Sequence, residues 1–130
     1  SSLPAERFDV AVVDEFGVLG SLYEFGDLAY VGGSLVPKGG QNPVEPAAAG
    51  KPVLFGPDMS DFSDIADLMR KEGGAIQVNT GEEFAAEAYR LLSDSALSAR
   101  LGRKNRALVE RHSGVTSKIA KDILECLSKA

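Results

Sequence analysis

The stretch that decides the fold is Gly32-Gly-Ser-Leu-Val-Pro-Lys-Gly-Gly-Gln-Asn-Pro-Val-Glu45. It begins at the glycine end of an apolar run that predicts a buried strand, and its second half predicts the start of a helix. Asn42 is a favourable N-cap, Pro43 suits the first helical position, and Glu45 completes an Asn-x-x-Glu pattern typical of a capping box. Glycines allow positive φ and close approach of a ligand to the backbone, so the loop and the helix start together predict an anion site.

Two interpretations of this loop stay open from the residues alone. Lys38 precedes the glycine pair and no Ser or Thr follows it, so the loop is not a P-loop, and the Gly-x-Gly-x-x-Gly dinucleotide fingerprint is also missing. The loop therefore either binds a phosphate or nucleotide, or simply turns the chain into a helix that Glu45 caps.

The same alternation of strand and helix continues along the chain. Strands are predicted at residues 8–14, 27–33, 51–57 and 75–79, and helices at residues 17–25, 42–50, 62–72 and from residue 82 onward. Hairpin signals are missing, so the prediction is an α/β fold: a Rossmann-like parallel sheet of about four strands with a helical C-terminal region. In such a sheet the ligand site lies at the carboxyl ends of the strands.

Apolar residues at helical spacing predict which side chains form the core. The predicted stripes are Ile65, Leu68 and Met69; Phe84, Ala88, Leu91 and Leu92; Leu97, Leu101, Leu108 and Val109; and Ile119, Ile123, Leu124 and Leu127.

Composition limits the possible functions. The 130 residues, 44% hydrophobic and 25% charged, predict one globular domain over residues 1–130, and no apolar run approaches the ~18 residues that span a bilayer. The single cysteine, Cys126, excludes an internal disulfide and a multi-cysteine metal site. The single histidine, His112, is predicted to be a cation near a helix end, and the Gly-x-Ser-x-Gly motif of a hydrolase triad is missing. Neither a metal site nor a hydrolase triad is therefore predicted.

Charge is unevenly distributed. Residues 1–99 carry 6 Lys/Arg against 16 Asp/Glu, whereas residues 100–130 carry 8 against 3, within a net charge of −5. Such an acidic body is not typical of a nucleic-acid-binding protein. The basic cluster at helical spacing predicts a solvated helix face or a contact with an anionic surface or another domain; its members are Arg100, Arg103, Lys104, Arg106 and Arg111.

The stretch Ala29–Pro57 closely resembles the C-terminal half of 3-deoxy-D-manno-octulosonic acid (Kdo) transferases. The likeness is dense over residues 27–62 and extends at lower density over residues 8–127. Its most specific parts are Gly-Gly-Ser-Leu-Val-Pro and Pro-Val-Leu-Phe-Gly-Pro. The resemblance implies a two-domain GT-B glycosyltransferase of lipopolysaccharide biosynthesis. That enzyme transfers Kdo from CMP-Kdo to a lipid A precursor at the cytoplasmic face of the inner membrane.

The resemblance also implies which residues bind the nucleotide. The family's Asn-Pro-Leu-Glu signature falls on residues 42–45, where Glu45 would accept from the ribose hydroxyls, and the amides near Gly39 and Gly40 would serve the phosphate. A second motif, Asp-Thr-x-Gly-Glu-Leu, falls on residues 14–19. The implied nucleotide-binding residues are Phe16, Gly17, Val18, Gly39, Gly40, Gln41, Asn42, Pro43, Val44 and Glu45.

Three positions depart from the family's pattern. Val18 stands where the family usually has Glu, Gln41 where it has His, and Asp61 where it has Asn. Gln41 keeps a hydrogen-bond donor but cannot titrate. At Val18 a backbone amide remains available, although any role of the family's carboxylate is lost.

The resemblance further implies what this chain lacks. The general base would lie in an N-terminal domain, so the chain alone is expected to be inactive, to reach the lipid A precursor and the membrane surface only through that domain, and to use CMP-Kdo as substrate with no cofactor. Two alternatives remain: a UDP-sugar transferase or epimerase of the same fold, and a non-catalytic regulatory or interaction domain.

Overall fold

Three short parallel strands form the sheet: β1 (Ala29–Tyr30), β2 (Val53–Phe55) and β3 (Ala75–Gln77), in that order. The computed structural model describes residues 7–15 and 17–128, with side chains described as far as residue 112. Ala29 lies opposite Val53, which lies opposite Ala75 in turn. All of the central strand β2 is buried, as expected for a parallel strand covered on both faces.

Five helices accompany the sheet in the described part of the chain. They are α1 (Leu19–Leu22), α2 (Val44–Ala48), α3 (Ser63–Glu72), α4 (Gly81–Ser93) and α5 (Ser95–Ser128), with 3-10 turns at Tyr23–Phe25 and Ser60–Phe62. The predicted α/β fold class is therefore confirmed.

The alternation of side chains along β2 divides the core into two layers. Val53 and Phe55 face one cluster, which includes Met69 of α3 and Leu108 of α5, whereas Leu54 faces the other, with Leu91 of α4 and Leu101 of α5. Helices thus cover both faces of the sheet.

Helix α3 ends where the sequence predicts. Gly73 adopts φ 85°, its N–H donates to Arg70 O at 3.2 Å, and the Gly74 N–H donates to Met69 O at 3.0 Å. These bonds satisfy carbonyls of the last turn and release the chain directly into β3.

Helix α5 is fastened to the amino-terminal side of the sheet by a buried side chain. The Nδ2 of Asn105 donates to Lys51 O at 2.8 Å and to Gly74 O at 2.7 Å, just before β2 and β3 begin. Gly102 allows the close approach, because a Cβ there would overlap the carbonyl of Gly50. At the opposite, carboxyl-terminal edge of the sheet, loops follow the strands.

Three sequence predictions are wrong. Residues 8–14 form no strand, and Val10 and Val12 are 81% and 88% exposed, so the described sheet has three strands rather than about four. The helix predicted to end near His112 continues, because one glycine in a helix interior costs only about 1 kcal/mol and the flanking residues favour helix. Leu92, placed in a core stripe, is 60% exposed because α4 turns only Leu91 fully inward.

Some predictions fall outside the described residues or side chains. They are the role of Phe16, the state of Cys126, and the stripe at Ile119, Ile123, Leu124 and Leu127. Within the described part, no helix is long and apolar enough to cross a membrane.

Candidate functional site

Two loops meet at the carboxyl ends of β1 and β2. We call residues 32–43, after β1, the glycine loop, and residues 56–62, after β2, the Pro57 turn. Ser34 joins them: its buried Oγ donates to Val31 O at 2.5 Å and accepts from the Gly56 N–H at 2.8 Å. Its carbonyl also accepts from the Asp58 N–H at 3.0 Å. The Gly-Gly-Ser segment therefore fixes the two strand ends relative to each other.

The glycine pair of the loop lies against the Pro57 turn. The N–H of Gly39 donates to Asp58 Oδ2 at 3.0 Å, and the Asp61 N–H donates back to Gly39 O at 3.0 Å. The N–H of Gly40 donates to Gly33 O at 3.0 Å. Gly39 and Gly40 have φ 83° and 80°, a conformation that favours glycine, and a Cβ on Gly39 would have to displace the exposed Asp61 carboxylate.

Not all amides of the glycine loop are free. The resemblance implies phosphate donors among the amides near Gly39 and Gly40, and the amides of these two glycines donate to acceptors inside the protein. In the described part of the chain, the next two amides, those of Gln41 and Asn42, have no acceptor. The glycines therefore shape the loop, and the donors free for a ligand lie one and two residues further on.

Around the start of helix α2 the prolines face inward and the polar residues face outward. Pro43, Pro46 and Ala47, at i, i+3 and i+4, are buried, whereas Asn42 and Glu45 are exposed. The buried prolines hold the start of the helix rigidly, since proline restricts φ. Asn42 and Glu45, three residues apart, are thereby presented on the open side of the site.

The capping prediction for this helix is half right. Asn42 Oδ1 accepts from the Val44 N–H at 2.9 Å, so the asparagine does satisfy a helix-start amide. Pro43, however, is the residue before the helix rather than its first residue, and the Glu45 carboxylate makes no hydrogen bond among the described residues. Glu45 is left available for a ligand because capping does not use it.

The 3-10 turn after α1 reaches the same site. Burial, together with the nearby Glu45 carboxylate, raises the pKa of Tyr23. Lys51 Nζ donates to the carbonyl of Glu24 at 3.2 Å, which ties this turn to the segment before β2. The sequence alone does not predict the proximity of Tyr23 to Glu45 or of Lys51 to Glu24, because the residues of each pair are far apart in the chain.

The second predicted motif lies at the start of α1. Gly17 has φ 84°, and no atom lies within 4 Å of the position a Cβ would take, so its surroundings are open. Val18 precedes α1 and its carbonyl accepts from the Leu22 N–H at 3.2 Å. The structure thus brings Glu45 near Tyr23, and places Gly17 and Val18 at the other end of the short segment that leads to Tyr23.

Asp58 is the site residue that sequence reasoning missed. Its Oδ1 accepts from the Ser60 N–H at 3.2 Å and from Ser60 Oγ at 2.7 Å, in addition to the Gly39 bond. Hydrogen bonds from the Ser60 hydroxyl, the Gly39 amide and the Ser60 amide lower its pKa. The signal available in the sequence was Asp58-x-Ser60 after a proline, a spacing typical of an Asx turn.

An open depression of about 190 Å³ lies beside Asp58, between the Pro57 turn and α3. Ser63, Asp67 and Gln77 contribute to its lining. Small-molecule pockets generally measure about 300–1,000 Å³, so this depression alone is smaller than a nucleotide site.

Comparison with known proteins gives the family. No protein-family model matches the chain. Curated 3-deoxy-D-manno-octulosonic acid transferases do: that of Aquifex aeolicus is 40% identical over 85 residues, covering 65% of this chain and 24% of the relative. That of Haemophilus influenzae is 32% identical over 120 residues (92% and 28%), and that of Bordetella pertussis 34% over 116 residues (89% and 27%). The chain belongs to the Kdo transferase family.

The match covers only a part of the family's length. This chain spans about a quarter of the Kdo transferases that it matches. Among solved structures, the C-terminal CMP-Kdo binding domain of WaaA from Acinetobacter baumannii superposes with a TM-score of 0.70 at 24% identity, over 75% of this chain and 51% of that one. This likeness agrees with the Rossmann-like fold predicted for the C-terminal half of a GT-B Kdo transferase.

Proposed function

We propose that this chain is the donor-binding part of a Kdo transferase and binds the CMP group of CMP-Kdo. The observation that carries the proposal is the exposed pair Asn42 and Glu45, held by buried prolines beside two unused amides at the carboxyl ends of parallel strands. This edge is where ligands bind in open parallel sheets.

Each exposed group suits one part of the nucleotide. The Glu45 carboxylate, which accepts no hydrogen bond in the described part of the chain, would accept two from the ribose hydroxyls. The amides of Gln41 and Asn42 would donate to the phosphate, with the Gln41 side chain as a further donor. Gly17, in open surroundings, and the half-buried Val18 would offer backbone groups to the same ligand.

For the intact enzyme we propose displacement at the anomeric carbon of Kdo. A hydroxyl oxygen of the lipid A precursor forms the new bond to that carbon, and the bond to the phosphate oxygen breaks with its electron pair leaving on CMP. Amides at the glycine loop stabilise the phosphate charge that develops. The acceptor's proton goes to a base outside this chain, in an enzyme acting at the cytoplasmic face of the inner membrane.

Nucleotide titration tests the donor proposal. We expect the chain to bind CMP in preference to UDP, and Glu45→Gln to weaken CMP binding about tenfold, since hydrogen bonds to charged groups contribute about 1.5–3 kcal/mol. Glu82→Gln is the matched control, because Glu82 is likewise exposed in the first turn of a helix, α4. Its affinity for CMP should equal that of the wild type.

The remaining outcomes discriminate between the alternatives. A preference for UDP would favour a UDP-sugar transferase or epimerase, and no binding of either nucleotide would favour a non-catalytic domain. The acceptor is tested with the intact enzyme, which should release CMP from CMP-Kdo when a lipid A precursor is added, whereas this chain alone should release none.

A further inference from the structure

The Asp58 carboxylate connects the Pro57 turn to the glycine loop. One oxygen accepts from the amide of Gly39, and the other accepts from the amide and hydroxyl of Ser60. Each of these bonds is charge-assisted, which makes it stronger than a bond between neutral groups. The side chain therefore sets where Gly39 lies relative to the end of β2.

The position of Gly39 determines where the free amides of the loop point. Gly39 and Gly40 are buried, with their own amides bonded internally, and only one and two residues separate Gly40 from the amides of Gln41 and Asn42. At φ near 80° the glycines are in a conformation that other residues rarely adopt, so the loop needs contacts that hold it there. Without the Asp58 bond, the Gly39 amide would lose its acceptor. The Pro57 turn would then no longer fix the direction of the Gln41 and Asn42 amides.

We propose that Asp58 is a positioning residue for the donor phosphate: by holding Gly39, it aims the Gln41 and Asn42 amides at that phosphate. This inference rests on the proposed function, since it takes CMP as the ligand. Asp58 itself does not touch the nucleotide, because a carboxylate would repel a phosphate and because its oxygens already accept hydrogen bonds.

Other charged side chains surround this contact. Asp61 lies against Gly39 from the Pro57 turn, Asp67 of α3 lines the same depression as Asp58, and Lys38 precedes Gly39 in the loop. In the described part of the chain, Asp58 is the carboxylate of this group whose side chain bonds to the glycine loop. Asp67 instead pairs with Arg70 at 3.3 Å, so it provides a matched control.

The experiment compares two ligands, CMP and cytidine, on Asp58→Ala, Asp58→Asn and Asp67→Ala chains by titration calorimetry or NMR. Cytidine lacks the phosphate, so a variant with misdirected loop amides should lose affinity for CMP alone. We expect Asp58→Ala to weaken CMP binding about tenfold and leave cytidine binding unchanged. The reason is that the misdirected Gln41 and Asn42 amides would no longer donate to the charged phosphate. Asp58→Asn keeps one acceptor oxygen and should fall between, and Asp67→Ala should match the wild type with both ligands.

Hydrogen exchange of the Gly39 amide reports on its bond to Asp58. This exchange should accelerate in Asp58→Ala and not in Asp67→Ala. Equal loss of CMP and cytidine affinity in both Asp58 variants would overturn the proposal in favour of a general structural role. Unchanged CMP affinity in Asp58→Ala would also overturn it while leaving the proposed function standing. If the wild-type chain bound neither ligand, the proposed function would fail, and with it this role of Asp58.

Discussion

At the scale of single residues, the site depends on a few carboxylates whose surroundings differ. Glu45 is exposed and unused by the helix cap, yet its charge reaches the partly buried hydroxyl of Tyr23. Asp58 is held by three hydrogen bonds from the loop and the turn. One carboxylate is thus free for a ligand, and the other maintains the loop.

The proximity of Tyr23 and Glu45 gives a titration that can be measured. Burial raises the pKa of Tyr23 most, and the negative charge of Glu45 adds to that increase because it disfavours a second negative charge nearby. Glu45→Gln should therefore lower the pKa of Tyr23 towards, but not fully to, its ordinary value, as followed by the pH dependence of the tyrosine ring carbon resonance. Glu24→Gln is the control, and an equal decrease in that variant would contradict a specific effect of Glu45.

The bonds to Asp58 predict how stability depends on pH. Because the folded pKa of Asp58 lies below its ordinary value of 3.8, the carboxylate stabilises the folded state fully above that pH, and the contribution disappears as pH falls through the folded pKa. The free energy of unfolding of the wild type should exceed that of Asp58→Asn near neutral pH, and the difference should shrink below pH 3.8. Denaturant titrations of both chains over that range provide the measurement; a difference that grows on acidification would have the wrong sign.

The sequence predicts part of this residue-scale arrangement. Asn42 and Glu45 can be recognised because a proline-flanked helix start gives their spacing directly. The internal use of the Gly39 and Gly40 amides cannot be recognised, because their acceptors depend on how two loops pack. The sequence therefore indicates which segment is the candidate site, and only the structure shows which of its amides have no acceptor within the described residues.

At the scale of elements, α5 holds the side of the sheet opposite the site. Asn105 is fully buried and satisfies the carbonyls of Lys51 and Gly74, while its own Oδ1 lacks a partner within the described residues. One amide group thus adds to the backbone bond at the start of β2 and β3, where the Val53 N–H donates to Gly74 O at 3.4 Å. This connection is invisible in the sequence, where Asn105 lies within a basic, polar helix face.

Replacing Asn105 should destabilise the fold more than its surface-like sequence context suggests. Asn105→Ala leaves the Lys51 carbonyl without its donor and the Gly74 carbonyl with only the Val53 N–H at 3.4 Å, and a buried unsatisfied group costs roughly 1–3 kcal/mol. Arg103→Ala, an exposed change on the same helix, should stay within about 0.5 kcal/mol of the wild type. Chemical denaturation measures both, and equal stabilities for the two variants would show that the buried amide contributes nothing.

Helices are the elements that sequence predicts best here, and strands the worst. Helix α3 follows its apolar stripe and stops at Gly73, since local spacing and a left-handed glycine suffice to define it. The run over residues 8–14 has equally strong strand propensity but remains unpaired in the structure. A strand requires a partner, and propensity alone does not supply one.

At the scale of the whole molecule, the sheet separates two surfaces of different character. The carboxyl ends of the strands carry the polar site, whereas the amino ends are covered by the basic helix α5. Part of the basic cluster is used within the chain: Arg111 pairs with Glu72 of α3, and Arg106 Nε lies 3.5 Å from the carbonyl of Ala48. Two of the basic residues of α5 therefore help to attach this helix to α2 and α3.

The third surface is the outer edge of β1. In the described part of the chain β1 has a partner only on its β2 side, and the apolar run over residues 8–13 lies exposed, with Val12 88% accessible. An unpaired strand edge and an exposed apolar, β-prone segment each promote pairing between chains, and a lysine on such a segment opposes it. Val12→Lys should therefore reduce concentration-dependent self-association, measured by light scattering or sedimentation. Its free energy of unfolding should change by less than about 0.5 kcal/mol, because the side chain is exposed.

The matched control for this surface is Leu92→Lys. It makes the same change of net charge at an exposed apolar position on α4, where the backbone is already hydrogen-bonded within the helix. If self-association arises from strand pairing of the β1 edge and the run over residues 8–13, only Val12→Lys should suppress it, because a helix face offers no free N–H and C=O row to a second chain. Equal suppression by both variants would instead attribute the association to net charge and remove the edge from the explanation.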